Sequence, residues 1–387
     1  MGITLTALEA KRFWLFSQRL LERTPFGSGS DAVYKAIDHL GYVQIDTINV
    51  IERAHHHILW SRIPTYRPQL LQKLQRDEKS IFEYWTHALA YVPSKYFPHY
   101  IGAMERFEEK PSKWFDAVTP AEIKRVTAYV KKHGPVSIRD MGDEVLVEKD
   151  HDWASKKPSK RVLQYLFNGG RVVISERLGM LKKYELTQRH FKWKKRPKAS
   201  SEKVTHQYLL ERSLKSQGLV SIASTTFLNT RAKAGISKVL TAKEKNGSLT
   251  KVNVKNIAAD FWLSPDEWET FSSQDHKSSK EDLVHILSPF DPLVIQRKRL
   301  KMFFNYEHRF EAYVPKEKRM YGYFALPVIV GDEVVALLDM KTDRQNKKLL
   351  LQQWTWLPGH RRKETKMAIE AELDRFALFQ LQQKFED

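Results

Sequence analysis

The fold turns on two stretches, 119-TPAEIKRVTAYVKKHGPVSIRD-140 and 159-SKRVLQYLFNGGRVVISERLGMLKKYELT-187. Thr119 can cap a helix that has Pro120 at its first position and Glu122 at the reciprocal capping-box position. Ile123, Val126 and Val130 recur at helical spacing to give that helix an apolar face, and Gly134 with Pro135 stops it. Ser137 and Asp140 can cap a second, short helix. A third is predicted from about Ser159, with Val162, Leu163, Leu166 and Phe167 facing inward and Gly169 and Gly170 closing it. The hydrophobic period then shortens from that of a helix to that of a strand, in two runs about a Leu178–Gly179 turn. Helix, helix, helix, hairpin is the order of a winged helix, whose third helix enters a groove of DNA. Its outward face here is Lys160, Arg161, Gln164 and Asn168, which suits phosphates and base edges as well as it suits plain solvent. The neighbouring stretches KKPSKR and KWKKRPK, the latter containing Trp193, favour DNA.

Working outward, Thr6 and Glu9 form a capping box ahead of Leu8, Phe13, Trp14, Phe16, Leu20 and Leu21, so a helix opens the chain to about Arg23. The same start fits a myristoylation pattern at Gly2 to Thr6, and the cap is the preferred reading. Asp31 can cap a helix through Val33, Ile37 and Leu40 that Gly41 ends, before an alternating run from Tyr42 to Ile45. Ile81 to Pro93 reads as aromatic-rich strand. After the basic linker, helices over Glu202 to Gln217, near Ile222 to Leu228 and near Arg231 to Lys245, with strands flanking Gly247, repeat the winged-helix order. From Leu287 the character turns to β: YGYFALPVIV, a Gly331–Asp332 turn, EVVALLDMK, then KLLLQQWTWLP and a closing helix from about Arg361 to Phe385. The expected fold is therefore α+β. Residues 1–110 form a first winged-helix-like unit, 111–198 a second winged-helix domain, 199–262 a third, and 263–387 a β-rich C-terminal domain with a closing helix.

The 387 residues carry 65 Lys and Arg against 46 Asp and Glu, a net charge of +19 that favours a polyanionic partner. With 42% apolar residues and 12% aromatic, the composition is that of packed domains, which a disordered basic tail would not show. The absence of cysteine excludes disulfides, thiolate nucleophiles, Cys-ligated zinc and iron–sulfur clusters. No apolar run approaches the roughly 18 to 20 residues of a membrane helix. A cytoplasmic, nucleoid-associated protein is expected, acting as a monomer and without a membrane.

Chemistry has few places to sit. As a strand, residues 43–46 would bury Val43 and Ile45 and project Gln44 and Asp46 together, their side chains starting roughly 6 to 7 Å apart. The polar side of an ordinary edge strand reads the same way. His55, His56 and His57 are consecutive and invite a metal reading, but they diverge around a helix and cannot easily share one metal. His87 lies in EYWTHAL, where Tyr84 and Trp85 suit either stacking on a base or packing in a sheet. Asp291, between two prolines in SPFDP, reads as a turn residue, and Asp339 and Asp343 fit no metal or nuclease signature. Walker loops, Rossmann glycines and nucleophile elbows are absent from the sequence.

Taken together, VQIDTINV (43–50), EYWTHALAYVP (83–93), LSPFDPLVIQRKR (287–299) and RMYGYFALPVIVGDEVVALLDMK (319–341) resemble the YcaQ-like, or AlkX, branch of the AlkZ-like winged-helix DNA glycosylases. The resemblance runs nearly end to end and keeps the order of the blocks. It implies tandem winged-helix units around a DNA-binding channel with a C-terminal β-rich domain. It also implies excision of alkylated bases from double-stranded DNA, N7-alkylated guanines and interstrand crosslinks among them, without metal or other cofactor. The family motif of Gln, a hydrophobic residue and Asp falls on Gln44, Ile45 and Asp46, where the related AlkZ branch has Gln for the Asp. Asp46 and Gln44 are thus the expected catalytic residues. Tyr84, Trp85, His87, Lys160, Arg161, Gln164, Arg177, Lys182, Lys183, Arg297, Lys298 and Arg299 are expected to contact DNA. The hairpin over 171–187 is one candidate for the family's DNA-probing hairpin. Two other classes compete: a winged-helix regulator that binds DNA without chemistry, and a metal-dependent nuclease, which the lack of an acidic or histidine cluster disfavours.

Overall fold

The computed structural model describes residues 3–142, 157–274 and 283–381. They divide into two compact units that interleave along the sequence, a larger one from residues 3–70, 86–90 and 206–381 and a smaller one from 71–85 and 91–205. The four sequence segments expected above do not coincide with these units. The first strand of the chain, Ile3–Leu5, pairs in parallel with Thr250–Val254, so the N-terminus and the third expected segment share one sheet.

In the larger unit the Thr6 capping box forms as expected, Glu9 N donating to Thr6 Oγ1 at 3.1 Å and Thr6 N to Glu9 Oε2 at 2.7 Å. The helix it starts is Ala7–Ser17, which buries Phe13, Trp14, Leu15 and Phe16 while Leu8 stays exposed. Those rings meet Phe261, Phe271 and Phe303 in the main apolar core. Each such side chain contributes about 1.5–3 kcal/mol on burial. A second cluster of Leu210, Val220, Ile236, Leu240 and Trp262 holds a winged helix together. Its helices are Glu202–Gln217, Ile222–Thr225 and Lys233–Lys245, and its hairpin is Thr250–Val254 with Ile257–Leu263. Both strands follow Gly247, in place of the expected pair flanking it, because the tight turn sits at Asn256 with φ of 63°.

The β-rich region is a four-stranded antiparallel sheet in the order Lys348–Trp356, Glu333–Asp343, Leu326–Val330, Val284–Ile286. Asp332 in its Gly331 turn is held by Arg12 at 2.6 Å and Lys11 at 3.3 Å. The region is less purely β than the sequence suggested, since Pro265–Ser273 and Arg297–Phe304 are helices. The closing helix runs Lys363–Leu381 and lays Ile369, Phe376 and Phe379 inward, Phe376 against Trp60 and His57. Asp291 is fully buried and receives Arg62 in a two-pronged pair at 2.7 and 3.1 Å, while also accepting Leu293 N. Arg62 further donates to Gln18, which satisfies the buried guanidinium.

The smaller unit carries the other winged helix. Thr119 and Glu122 close their capping box on helix Pro120–His133, and helix Pro158–Asn168 follows. Ser137 N donates to Asp140 Oδ2 at 2.7 Å, and the short helix expected there runs into residues outside the described ones. Strands Val172–Leu178 and Leu181–Leu186 form the two-stranded hairpin, and an isolated antiparallel backbone bridge joins Val136 to Tyr184. Beneath them Phe82 meets Tyr100 and Phe191 edge to face at 5.7 and 6.3 Å, Phe97 meets Phe191 likewise at 5.6 Å, and Phe82 tilts against Phe97 at 5.0 Å.

Candidate active site

The strand that carries the Gln-Ile-Asp motif is short, Val43–Gln44, because Asp46 turns the chain: its Oδ1 accepts the Ile48 amide at 2.7 Å. Ile45 N still donates to Leu89 O at 2.8 Å, which fixes the motif against the start of strand Leu89–Pro93, the return strand of a hairpin with Ile81–Trp85. The expected alternation is therefore broken after one step. Val43 and Ile45 are buried as predicted, Gln44 is buried as well at 6% exposure, and Asp46 stands half-buried at the point where the backbone leaves the sheet. Burial raises the Asp46 carboxyl above its ordinary value, against the opposing pull of the Ile48 and Thr47 amides.

His87 is at the hairpin tip. Its ring Nε2 lies 2.9 Å from Gln44 Oε1. Tyr42 meets the imidazole edge-on at 5.0 Å, and Phe227 tilts against it at 5.3 Å. Burial pushes the His87 ring down to about 4, helped by the Arg212 charge, so it is neutral at pH 7. The Arg212 guanidinium lies over the Tyr42 ring at 5.5 Å. Its side chain also fills the space beside Gly41, whose φ of 79° ends helix Gly29–Leu40, so a Cβ there would collide with Arg212. Sequence reasoning named Gln44, Asp46 and His87 but not Tyr42, Arg212 or Phe227. Only tertiary folding brings residues 212 and 227 to this place, and no local pattern marks them.

Phe227 also lines a cavity of about 720 Å³ in the larger unit, with Leu228, Trp262, Met302, Arg297 and Lys298 among its other walls. Leu228 is exposed and holds a left-handed backbone, φ 53°, which is strained for leucine. Arg297 and Lys298 are exposed on their helix. Arg299, expected to touch DNA with them, is a correction: it is 5% exposed, donates to Leu219 O at 2.6 Å and lies over Trp14 at 4.4 Å. On a helix the third residue of Arg297–Arg299 points some 200° from the first, into the core.

In the smaller unit, Lys160 and Gln164 are exposed on helix Pro158–Asn168, and Arg161 is half-buried. Trp85 is half-exposed, its Nε1 donating to Asn168 Oδ1 at 2.9 Å, so the indole is anchored to the C-terminal end of that helix with a face open. Tyr84 is buried and its hydroxyl donates to Asn168 O at 2.6 Å, which makes it a packing residue and corrects the expected base contact. Arg177 is corrected likewise. Only 6% exposed, it forms a two-pronged pair with Glu83 at 2.6 Å on each prong. Burial works against the Arg177 charge, yet Glu83 holds its pKa above the usual value. Lys182 is pushed down by burial to about 8, beside the Phe167 ring, and Lys183 pairs with Glu176 at 2.9 Å.

The three consecutive histidines serve the core. His56 Nδ1 meets the Tyr66 hydroxyl at 2.6 Å and His57 Nε2 meets Ile286 O at 2.7 Å. Asp339 accepts the amides of Tyr323 and Phe324, and Asp343 caps a turn through Asn346. Among the described residues, no group of three or more His, Asp or Glu is arranged to hold a metal ion, and no helix is long and apolar enough to cross a membrane.

A family model described as DNA glycosylase AlkZ-like matches residues 37–379. The solved structure of Streptomyces sahachiroi DNA glycosylase AlkZ superposes with a TM-score of 0.61 over 97% of this chain and 96% of that one, at 18% identity. The fold is thus shared although four residues in five differ.

Proposed function

The chain belongs to the AlkZ-like DNA glycosylase family and is an enzyme of DNA repair, and on that premise we propose that it hydrolyses the N-glycosidic bond of N7-alkylated guanine and unhooks interstrand crosslinks, with Asp46 as base and Gln44 as positioner. The single observation that supports this most is the motif's placement: Asp46 half-buried at the end of a strand, beside a Gln44 whose side chain is held. The Asp at the third motif position sides with the YcaQ-like branch.

An N7-alkylated guanine is cationic, so its bond to C1′ is already weakened and the base needs no enzyme acid to leave. The C1′–N9 bond breaks, its electron pair goes to the guanine and neutralises it, and an oxocarbenium-like sugar forms. The Asp46 carboxylate stabilises that positive charge and accepts a proton from the water that attacks C1′. The Ile48 amide uses one of the carboxylate's acceptor sites and leaves others for water. A carboxylate in a partly buried site acts more strongly on the sugar cation than it would in bulk water. A free, neutral base and an abasic sugar still joined in its strand are the products.

A crosslinked guanine is tethered to the opposite strand and cannot be flipped fully into a closed pocket, so it must be read in place. Phosphate neutralisation by exposed cations, Lys160, Arg297 and Lys298 among them, supplies affinity without sequence preference. Trp85 offers an anchored aromatic face for a base. In this reading a single chain acts on double-stranded DNA. A regulator without chemistry is set aside by membership of an enzyme family.

The test is product analysis. Wild-type protein in EDTA is incubated with one duplex containing N7-methylguanine and another containing a nitrogen-mustard crosslink. Free alkylguanine, alkali-labile abasic sites and separated strands are expected; strand nicks without base release, or no release from either duplex, overturn the proposal.

A further inference from the structure

We infer that His87 is a positioning residue that locks the Gln44 amide in one orientation, oxygen toward the imidazole and NH2 toward the substrate. The inference rests on the role of Gln44 proposed above and specifies what Gln44 can do.

An amide oxygen only accepts hydrogen bonds, so the 2.9 Å contact from His87 Nε2 to Gln44 Oε1 requires the proton on Nε2. Thr86 Oγ1 stands 3.5 Å from the other ring nitrogen, at the limit of a hydrogen bond, and 3.1 Å from Ala88 O. The shorter contact decides the tautomer. The ring has little freedom to leave, since Thr86 N also donates to Ala88 O at 2.8 Å and Tyr42 and Phe227 pack on the imidazole.

With its oxygen engaged, Gln44 presents N–H donors. A donor to the oxygen of the attacking water, with Asp46 accepting one of that water's protons, leaves a water lone pair for C1′. The reversed amide would present an acceptor, and would compete with Asp46 for the proton without directing the lone pair. A neutral imidazole suits this place for a second reason: it fixes Gln44 without adding positive charge where a cationic lesion must bind. His87, expected from sequence to meet the DNA, instead acts through Gln44.

The test is single-turnover excision of N7-methylguanine by the full chain, comparing His87→Phe, Gln44→Ala and the double variant, with DNA affinity measured for each. His87→Phe keeps an aromatic ring between Tyr42 and Phe227 and removes the donor. We expect its rate to fall roughly tenfold, the worth of one hydrogen bond, with the half-saturating concentration unchanged. In the Gln44→Ala background the same change should cost nothing further, because His87 then has no amide to hold. A cost that persists in the double variant, or weaker binding at an unchanged rate, overturns the inference. A second pair guards against misfolding: His87→Gln keeps an N–H donor and should recover most of the rate, whereas His87→Glu offers only acceptors and should not. Equal rates for that pair also overturn it. If Gln44→Ala itself excises at the wild-type rate, the role proposed for Gln44 fails first; if only His87→Phe does so, the fault lies with His87 alone.

Discussion

At the residue scale, the chemistry depends on an ionised Asp46 whose carboxyl is raised above its usual value by burial. The sign follows directly. The base works above its own pKa and is lost as pH falls through it, so kcat/KM should decline on acidification with a midpoint above about 3.9. A profile that stays level down to that value contradicts the assignment. The sequence made the Gln-Ile-Asp motif legible as a unit, but not that Gln44 is buried, nor that its partner is His87, 43 residues away. Charge was the least legible property. Arg177 and Arg299 carry the same side chain as Arg297, yet two are buried and one is exposed, and residue type alone says nothing about which way a guanidinium faces. The bury-or-expose choice is set by partners such as Glu83 and Trp14, which are distant in sequence.

At the scale of elements, what was legible was whatever local chemistry fixes. Both capping boxes, at Thr6–Glu9 and Thr119–Glu122, form as written, and helix Glu202–Gln217 has the bounds expected of it. The missed elements depend on non-local pairing. Ile3–Leu5 is three residues long and becomes a strand only because Thr250–Val254 lies beside it. Helix Arg297–Phe304 was hidden by a run of charge and follows the Pro-bounded turn at Asp291. The Glu83–Arg177 pair ties strand Ile81–Trp85 to the hairpin of the smaller unit, and Gln75 donates to both Glu83 Oε1 and Ile174 O. Glu83→Gln leaves a buried guanidinium uncompensated and should cost about 3–5 kcal/mol, read as a fall in the urea midpoint. A loss under about 1 kcal/mol, as for a surface pair, would show that Arg177 reaches solvent. Leu228→Gly should do the reverse. It relieves a left-handed leucine that is exposed, and should raise stability by about 1 kcal/mol; a loss of stability would show that the leucine side chain is held by packing.

At the scale of the whole molecule, a net charge of +19 and the winged-helix order pointed to DNA before any site was known. Composition could not foresee how acid acts on this chain. His39, His57 and His285 are buried, each ring bonded to a backbone carbonyl, and burial lowers each to about 4. Above the unfolded value of about 6.5 both states are neutral and nothing changes. Between there and 4 the unfolded chain takes up protons that the folded one refuses, so stability falls as pH falls, by as much as about 3 kcal/mol for each histidine. Urea midpoints that hold constant from pH 7 to 4.5 would contradict this. The central claim is that Asp46 performs glycosidic hydrolysis, and its most direct test is single-turnover excision of N7-methylguanine by Asp46→Asn, with duplex affinity measured alongside. A rate lower by about 10²–10⁴ at unchanged affinity is the predicted result; release of the base at the wild-type rate would contradict it.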